Sequence, residues 1–311
     1  QGHTVSGITV TRTGNTSADK YIGLFGYIYE GTAQNVVLAN STFTGYNYVG
    51  GIAGEISWGT VRNCRVESSV TIKVGNSPAE NFGGVVGYFH GSGALMTGCV
   101  SAATIENNGL TCNDCGGISG DVQYNTLKDC LYIGTSVTGT GYVGSIAGST
   151  ISATISNNYY TAISLGGIGG NSSSSDQDGA RRARTVTLGE GITLSGTETT
   201  YDVSGITAYG STAIGYGGKI YSGAGQTLTL SYTDAVPAGF AFDGFSVNST
   251  AIDGNSFTMP AADVTVSANF ARLPIGSIAY NETLGAYEIN CTQHLRDLAE
   301  YVNGEYETQG N

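Results

Sequence analysis

Short apolar–polar alternations recur along the first half of the chain and are broken at regular intervals by glycine. Gly23-Leu24-Phe25-Gly26 returns as Gly51-Ile52-Ala53-Gly54, Gly84-Val85-Val86-Gly87 and Gly117-Ile118-Ser119-Gly120. Looser copies are Ser145-Ile146-Ala147-Gly148 and Gly167-Ile168-Gly169-Gly170. The second residue of every copy is a branched aliphatic. Four residues on, Ile28, Ile56, Phe89, Val122 and Thr150 share its face at strand spacing. Two residues before each motif stand Tyr21, Val49, Phe82, Cys115, Val143 and Leu165. These two columns are three residues apart, which breaks period-2 alternation, so the chain must turn between them. Gly50-Gly51, Gly83-Gly84 and Gly116-Gly117 are residues that accept such a corner. One coil cannot bury these columns alone, whereas coils stacked in register can. The pattern predicts a parallel β-helix of six coils over residues 1–170, right-handed by the rule for parallel crossovers. A β-sandwich also has evenly spaced short strands, but the long in-register period favours the solenoid.

A second phrase alternates with the first: Gly59-Thr60-Val61-Arg62-Asn63-Cys64 is similar to Ala153-Thr154-Ile155-Ser156-Asn157-Asn158. It places Cys64, Cys99 and Cys130 in one column with Val36, and Cys115 falls in another apolar column. Buried free thiols are expected there; a Cys112–Cys115 bridge is the alternative left open. Asn35, Asn63, Asp129 and Asn157 form a further column beside the bend, where stacked amides would bond the turn backbone.

Beyond the repeats, residues 171–183 read as a Ser/Gly-rich linker. Residues 184–272 read as a small antiparallel all-β module, with Phe240, Phe242 and Phe245 directed toward one core. Residues 273–311 hold an extended segment and the one helical pattern, Leu295, Leu298, Ala299 and Val302, with Thr292 as N-cap. So short a helix needs an apolar support, and a solenoid end is a natural partner for it.

Composition narrows the function classes. Glycine fills 49 of 311 positions, and 12 basic residues face 24 acidic ones for a net charge of −12. That balance argues against a nucleic-acid partner. No apolar run approaches the ~20 residues of a membrane-spanning helix. The Gly, Thr and Tyr content describes a secreted or surface-exposed all-β protein. The opening Gln1-Gly2-His3 reads as part of a longer polypeptide.

Candidate chemistry is sparse. His3, His90 and His294 stand in no H-E-x-x-H or triad setting. The pair Cys112 and Cys115 lacks the second pair of a zinc site. Asp176-x-Asp178-Gly179 lacks the later acidic ligands of a calcium loop. No catalytic residue, metal or cofactor is therefore expected. Glu55 and Asp121 share an outward column two coils apart, roughly 10 Å. That is too far for a retaining glycosidase pair and marginal for an inverting one, so a polysaccharide-active enzyme is the least favoured alternative. Tyr27 and Tyr88 lie in the same outward column and Trp58 in a turn. These three are the candidate contacts for a glycan or protein partner, which makes a carbohydrate-binding module the second reading.

Residues 1–175 resemble the GLUG-repeat family, most specifically at Gly51–Gly54 and Thr60–Cys64. Residues 184–272 resemble the divergent internalin-type repeat, especially from Phe257 to Val266. Residues 286–303 resemble the helix that precedes a GLUG array. The resemblance implies a non-catalytic structural and adhesive module of a bacterial surface protein. Its implied partner is a host or bacterial surface protein or glycan. It also implies that the C-terminal helix caps a solenoid, in cis or on a neighbour, or opens a further array.

Overall fold

The computed structural model describes residues 3–170 and 174–303. It is nearly all β, and its first part is a parallel β-solenoid of about five turns. The turns stack their strands into five sheets, one of which has four strands and receives from the fifth turn only a bridge between Ile105 and Val137. One six-stranded sheet holds Phe25–Tyr29, Ala53–Ser57, Val86–His90, Ser119–Gln123, Ala147–Ile151 and Ile168–Gly170. The last of these has only three residues, so the sixth coil is incomplete. A five-stranded sheet precedes it in each turn: Lys20–Ile22, Asn47–Gly50, Ala79–Gly83, Cys112–Gly116 and Val143–Gly144.

The aliphatic columns form the interior stripes. Ile52, Val85, Ile118 and Ile146 are wholly buried, as are Val49, Phe82 and Cys115. Each such aliphatic side chain contributes about 1.5–3 kcal/mol through burial. Hydrogen bonding continues through the corner: Ile52 N donates to Val85 O at 2.9 Å, and Val85 N to Ile118 O at 2.9 Å. The corner glycines answer to space rather than to a left-handed φ. A Cβ on Gly120 would lie 2.5 Å from Phe82 N, and one on Gly87 would lie 2.5 Å from Val49 N. The backbones of the two sheets therefore pass too closely for any side chain at the fourth motif position.

Both terminal copies slip by one residue. Ile22, not Tyr21, pairs with Val49, because only Gly23 and Leu24 separate Ile22 from Phe25. Tyr21 is left outside, 39% exposed. Ile168 pairs with Ala147 rather than standing over Ile146. The cysteines are all free thiols; Cys64, Cys99, Cys112, Cys115 and Cys130 are buried and Cys291 is exposed. Burial holds the Cys99 thiol far above its ordinary value, so this column is chemically inert.

The asparagine column is present, but its amides bond one another rather than the turn backbone. Asn63 Nδ2 donates to Asn35 Oδ1 at 2.7 Å, and Asn157 Nδ2 to Asp129 Oδ1 at 2.6 Å. All four residues adopt left-handed φ values between 53° and 59°, which Asn and Asp accept most readily after glycine. Gly98 holds the same position in the third coil, and the Tyr201 ring fills the space its missing side chain leaves. The Tyr201 hydroxyl lies 2.7 Å from Thr97 Oγ1 and donates to Asp129 Oδ2 at 3.1 Å. Val203 N and Ser204 N both donate to Asn63 Oδ1 at 2.9 Å.

The compact units follow this docking rather than the composition. One unit comprises the described residues to Val186 with Gly196–Leu228 and Thr258–Asp263; the other comprises Thr187–Ser195, Thr229–Phe257 and the described residues from Val264. Of the compositional linker, residues 171–173 lie outside the described residues. Ser174–Gly179 is a helix, and 180–183 begin the strand Ala180–Leu188. That strand pairs in parallel with Asn158–Tyr160 and antiparallel with Lys219–Gly223. The hairpins 198–223 join the first unit because Ile206, Ala208 and Ile214 bury against Val100, Leu131 and Tyr159, apolar residues on the outward face of the solenoid's large sheet.

Within the second unit, Phe240–Val247 pairs antiparallel with Val264–Arg272. A bulge between Phe242 and Phe245, with Gly244 at φ 93°, sends Phe245 into the core and leaves Phe242 38% exposed. Phe242 and Phe245 still meet edge-on at 5.0 Å between centroids, whereas Phe240 lies under the Arg272 guanidinium. The C-terminal helix runs Thr292–Val302 with Cys291, not Thr292, at its N-cap. Its buried residue is Asp297, which accepts from Ser277 N and from Gln293 Nε2 at 2.7 Å. Leu295 and Val302 are exposed.

Ile118→Ala should cost about 2–5 kcal/mol of stability, read from the denaturant midpoint. Gly98→Ala should expel Tyr201. Amide exchange should then rise across 196–228 while the motif strands 86–90 and 119–123 keep their protection.

Candidate functional site

One outer face of the solenoid collects aromatic and acidic side chains. Two columns come from the six-stranded sheet. Tyr27, Glu55, Tyr88, Asp121 and Ser149 stand in register in the first; Tyr29, Ser57, His90, Gln123 and Ile151 stand two residues on in the second. A third column comes from the preceding sheet, where Tyr21, Tyr48, Asn81 and Asp114 have φ values of 57°, 57°, 66° and 54°. The left-handed residue interrupts the ladder, since Asn47 and Val49 pair with Glu80 and Phe82 on either side of it.

The rings touch in sequence. Tyr21 stacks on Tyr48 at 5.2 Å, Tyr48 on Tyr88 at 5.4 Å, and Tyr88 on His90 at 4.5 Å between centroids. Trp58 meets His90 edge-on at 5.6 Å and Tyr29 at 5.7 Å, and Tyr27 lies 6.5 Å from Tyr29. Tyr27, Tyr29 and Trp58 are about half exposed, Trp58 at 49%. The three predicted contact residues, Tyr27, Trp58 and Tyr88, thus belong to one continuous aromatic face. Sequence reasoning missed Tyr21, Tyr29, Tyr48 and His90. Tyr29 and His90 were legible as the next outward column of the same strand. Tyr48 was concealed because a left-handed tyrosine has no sequence signature.

Backbone cost marks this face. A left-handed φ costs a side-chain-bearing residue roughly 1–2 kcal/mol. Tyr48 and Trp58 pay this where the third coil uses Asn81 and Gly91 in the corresponding positions. Ring stacking returns about 0.5–1.5 kcal/mol per pair, which offsets Tyr48 with its two stacked neighbours. Trp58 makes two edge contacts, so its placement is close to neutral for the fold.

Beside the rings the face is acidic. Glu55 Oε1 lies 3.0 Å from His90 Nε2, and Ser57 Oγ lies 2.5 Å from the same nitrogen. Asp121 is buried and accepts from Ser149 Oγ at 2.8 Å and from Gln123 Nε2 at 2.6 Å. Burial raises the Asp121 carboxyl. Asp114 is pushed up to about 6, by burial first and then by the charges of Asp121 and Glu80, against a contact with Ser149 that lowers it. Burial and the surrounding carboxylates also raise the Tyr48 and Tyr88 hydroxyls, each to about 12. Asp121 and Asp114 share Ser149 as a neighbour, whereas Glu55 is engaged by His90 and Ser57. Among the described residues no three His, Cys, Asp or Glu side chains come together as metal ligands. No described helix is long and apolar enough to cross a membrane.

Residues 201–274 match the model of the divergent InlB B-repeat domain, and this part of the chain is a bacterial repeat module. Halomucin of Haloquadratum walsbyi is 41% identical over 87 residues, 28% of this chain and 1% of that protein. The chain therefore spans about one-hundredth of the length of that relative. No solved structure matches the chain.

The Asp114 carboxyl stands above its ordinary 3.8 in the fold, at about 6. Its contribution favours the fold most below pH ~3.8 and is lost as pH rises toward ~6, leaving a penalty above that. Asp114→Asn should therefore raise the melting midpoint at about pH 7.5 and change it little near pH 4, as thermal scans at the two pH values will read.

Proposed function

We propose that this chain is a non-catalytic structural and adhesive module of a secreted or cell-surface bacterial protein, and that its solenoid holds a polysaccharide on the aromatic face. The single observation that carries the reading is the unbroken run of rings from Tyr21 through Tyr48, Tyr88, His90 and Trp58 to Tyr29. Pyranose rings stack on aromatic faces, and the half-exposed Tyr27, Tyr29 and Trp58 offer them, while Tyr48 and Tyr88, each between two stacked rings, brace the row. Successive coils repeat at about 4.8 Å, a step close to the length of one sugar unit, so a linear glycan can follow the solenoid axis. The InlB-type repeat and the likeness to a protein named as a mucin support an extracellular setting. The Gly-Ile-Ala-Gly corners support the GLUG assignment of the coils.

Binding rather than turnover is favoured by the state of the acids. Both oxygens of Asp121 already accept hydrogen bonds, and it is 5% exposed. Glu55 is held by His90 and Ser57.

On a glycan array the chain should give reproducible hits that Trp58→Ala and Tyr88→Ala each weaken by about tenfold or more. Trp58→Ala should leave the melting midpoint within a few degrees of wild type. An array without hits, or hits indifferent to both substitutions, contradicts the reading.

A further inference from the structure

The parallel ladder of the solenoid's large sheet ends on a charged strand. Its inward column runs Leu38, Val66, Ser101, Tyr132 and Tyr160 in register, all buried. Arg182, on the strand Ala180–Leu188, is the next rung and pairs with Tyr160. A guanidinium side chain thus takes the place where each earlier coil sets an interior residue, and Arg182 is exposed. Arg184 stands two residues along the same strand and is half-buried. With Arg181, three of the chain's 12 basic residues fall within four positions, in a protein that carries 24 acids.

A cavity of about 240 Å³ lies at this end, lined by Tyr160, Gly166, Gly167 and the three arginines. All of these residues belong to the first unit. Arg181 is already engaged: it donates from Nη1 to Ala224 O at 2.7 Å and from Nη2 to Asp178 Oδ1 at 3.2 Å. Arg182 and Arg184 make no ion pair or side-chain hydrogen bond with any described residue. Tyr160 is 8% exposed, and its hydroxyl likewise has no hydrogen-bond partner among the described residues. Burial raises that hydroxyl, and the charges of Arg182 and Arg184 work against the rise, so both guanidiniums act on one donor.

We propose that this cavity binds a dianionic phosphate group, with Arg182 and Arg184 supplying its two counter-charges and the Tyr160 hydroxyl a third donor. Guanidinium forks match phosphate oxygens, and such charge-assisted bonds are about twice as strong as neutral ones. Two uncompensated cations favour a dianion over a carboxylate or a sulfate ester, each of which carries a single charge. A water occupies ~30 Å³, so beside its side-chain-free glycine wall the cavity also has room for a group esterified to the phosphate. Free phosphate and a phosphate monoester share this chemistry. An end that merely repels a further coil needs charge alone, whereas here the two charges converge on a buried, unpaired hydroxyl. The site lies on the last rung of the stack and does not depend on the glycan reading of the aromatic face.

The test is calorimetric titration of the intact chain at about pH 7.5, where a phosphate monoester is close to doubly charged. The probes are inorganic phosphate, a glucose monophosphate and the matching glucose monosulfate. Both phosphates should bind on the order of tenfold tighter than the sulfate ester, and the margin should shrink at about 0.5 M salt. Arg182→Gln and Arg184→Gln should each weaken phosphate binding by about tenfold, and Tyr160→Phe by roughly threefold. Arg296→Gln removes an exposed charge from the C-terminal helix and should leave binding unchanged. Circular dichroism checks that each variant is folded, and Arg184→Gln carries the test should Arg182→Gln not fold. Tighter binding of the glucose monophosphate assigns the site to phosphate borne on a larger molecule, and equal binding assigns it to the free ion; either supports the proposal. Equal affinity for the sulfate ester, an equal loss in Arg296→Gln, or no phosphate binding by the folded chain overturns it and leaves the arginines as a charged end to the stack.

Discussion

Every other feature of the first unit depends on like residues lying directly above like residues across successive coils. A single coil of about thirty residues has no interior; its aliphatic side chains are covered only by the coils on either side. Ile52, Val85 and Ile118 therefore stabilise one another in sequence, and the burial of each rests on its neighbours being in place. The glycines of the motif are the condition for that stacking. They let two sheets meet at a corner where a Cβ on Gly120 would sit 2.5 Å from the opposing backbone.

The same stacking creates the functional face. Outward columns align as strictly as inward ones, so residues 28 to 35 positions apart in the chain become neighbours at strand spacing. Asp121 meets Ser149 in this way, while Tyr48 stacks on Tyr88, 40 positions further on, across the corner between two sheets. A surface of this kind is assembled from several coils, each contributing one or two rings or acids. It needs no pocket in the usual sense, and its chemistry is set by the order of residues down a column. Aromatic residues predominate in the first three coils of the face, with Glu55 among them, and Asp114, Asp121 and Ser149 follow in the later ones beside the exposed Tyr124 and Tyr142. Apolar contact and negative field thus lie side by side along one axis.

The fold was legible where the pattern was regular. The motif columns located the interior stripes, the free thiols and the asparagine ladder from spacing alone. The reading slipped at both ends of the array, at Tyr21 and Ile168, because a one-residue change at a corner shifts register without altering the motif. It also placed a linker where Ala180–Leu188 extends the large sheet. The signal available there was Val100, Leu131 and Tyr159, apolar side chains in a column that faces out of the solenoid and had to be covered by something. Of the site, Tyr27, Trp58 and Tyr88 were found as outward aromatics. Asp114 and Tyr48 were not, because their positions depend on a left-handed residue in the middle of a strand, where neither alternation nor residue type marks the break.

Methyl–methyl Overhauser contacts in solution test the in-register stacking most directly. Stacked coils require strong contacts from Ile52 to Val85 and from Val85 to Ile118, with none between Ile52 and Ile118, which lie two strand steps, roughly 10 Å, apart. A direct Ile52–Ile118 contact, or the absence of both neighbouring ones, would contradict the account.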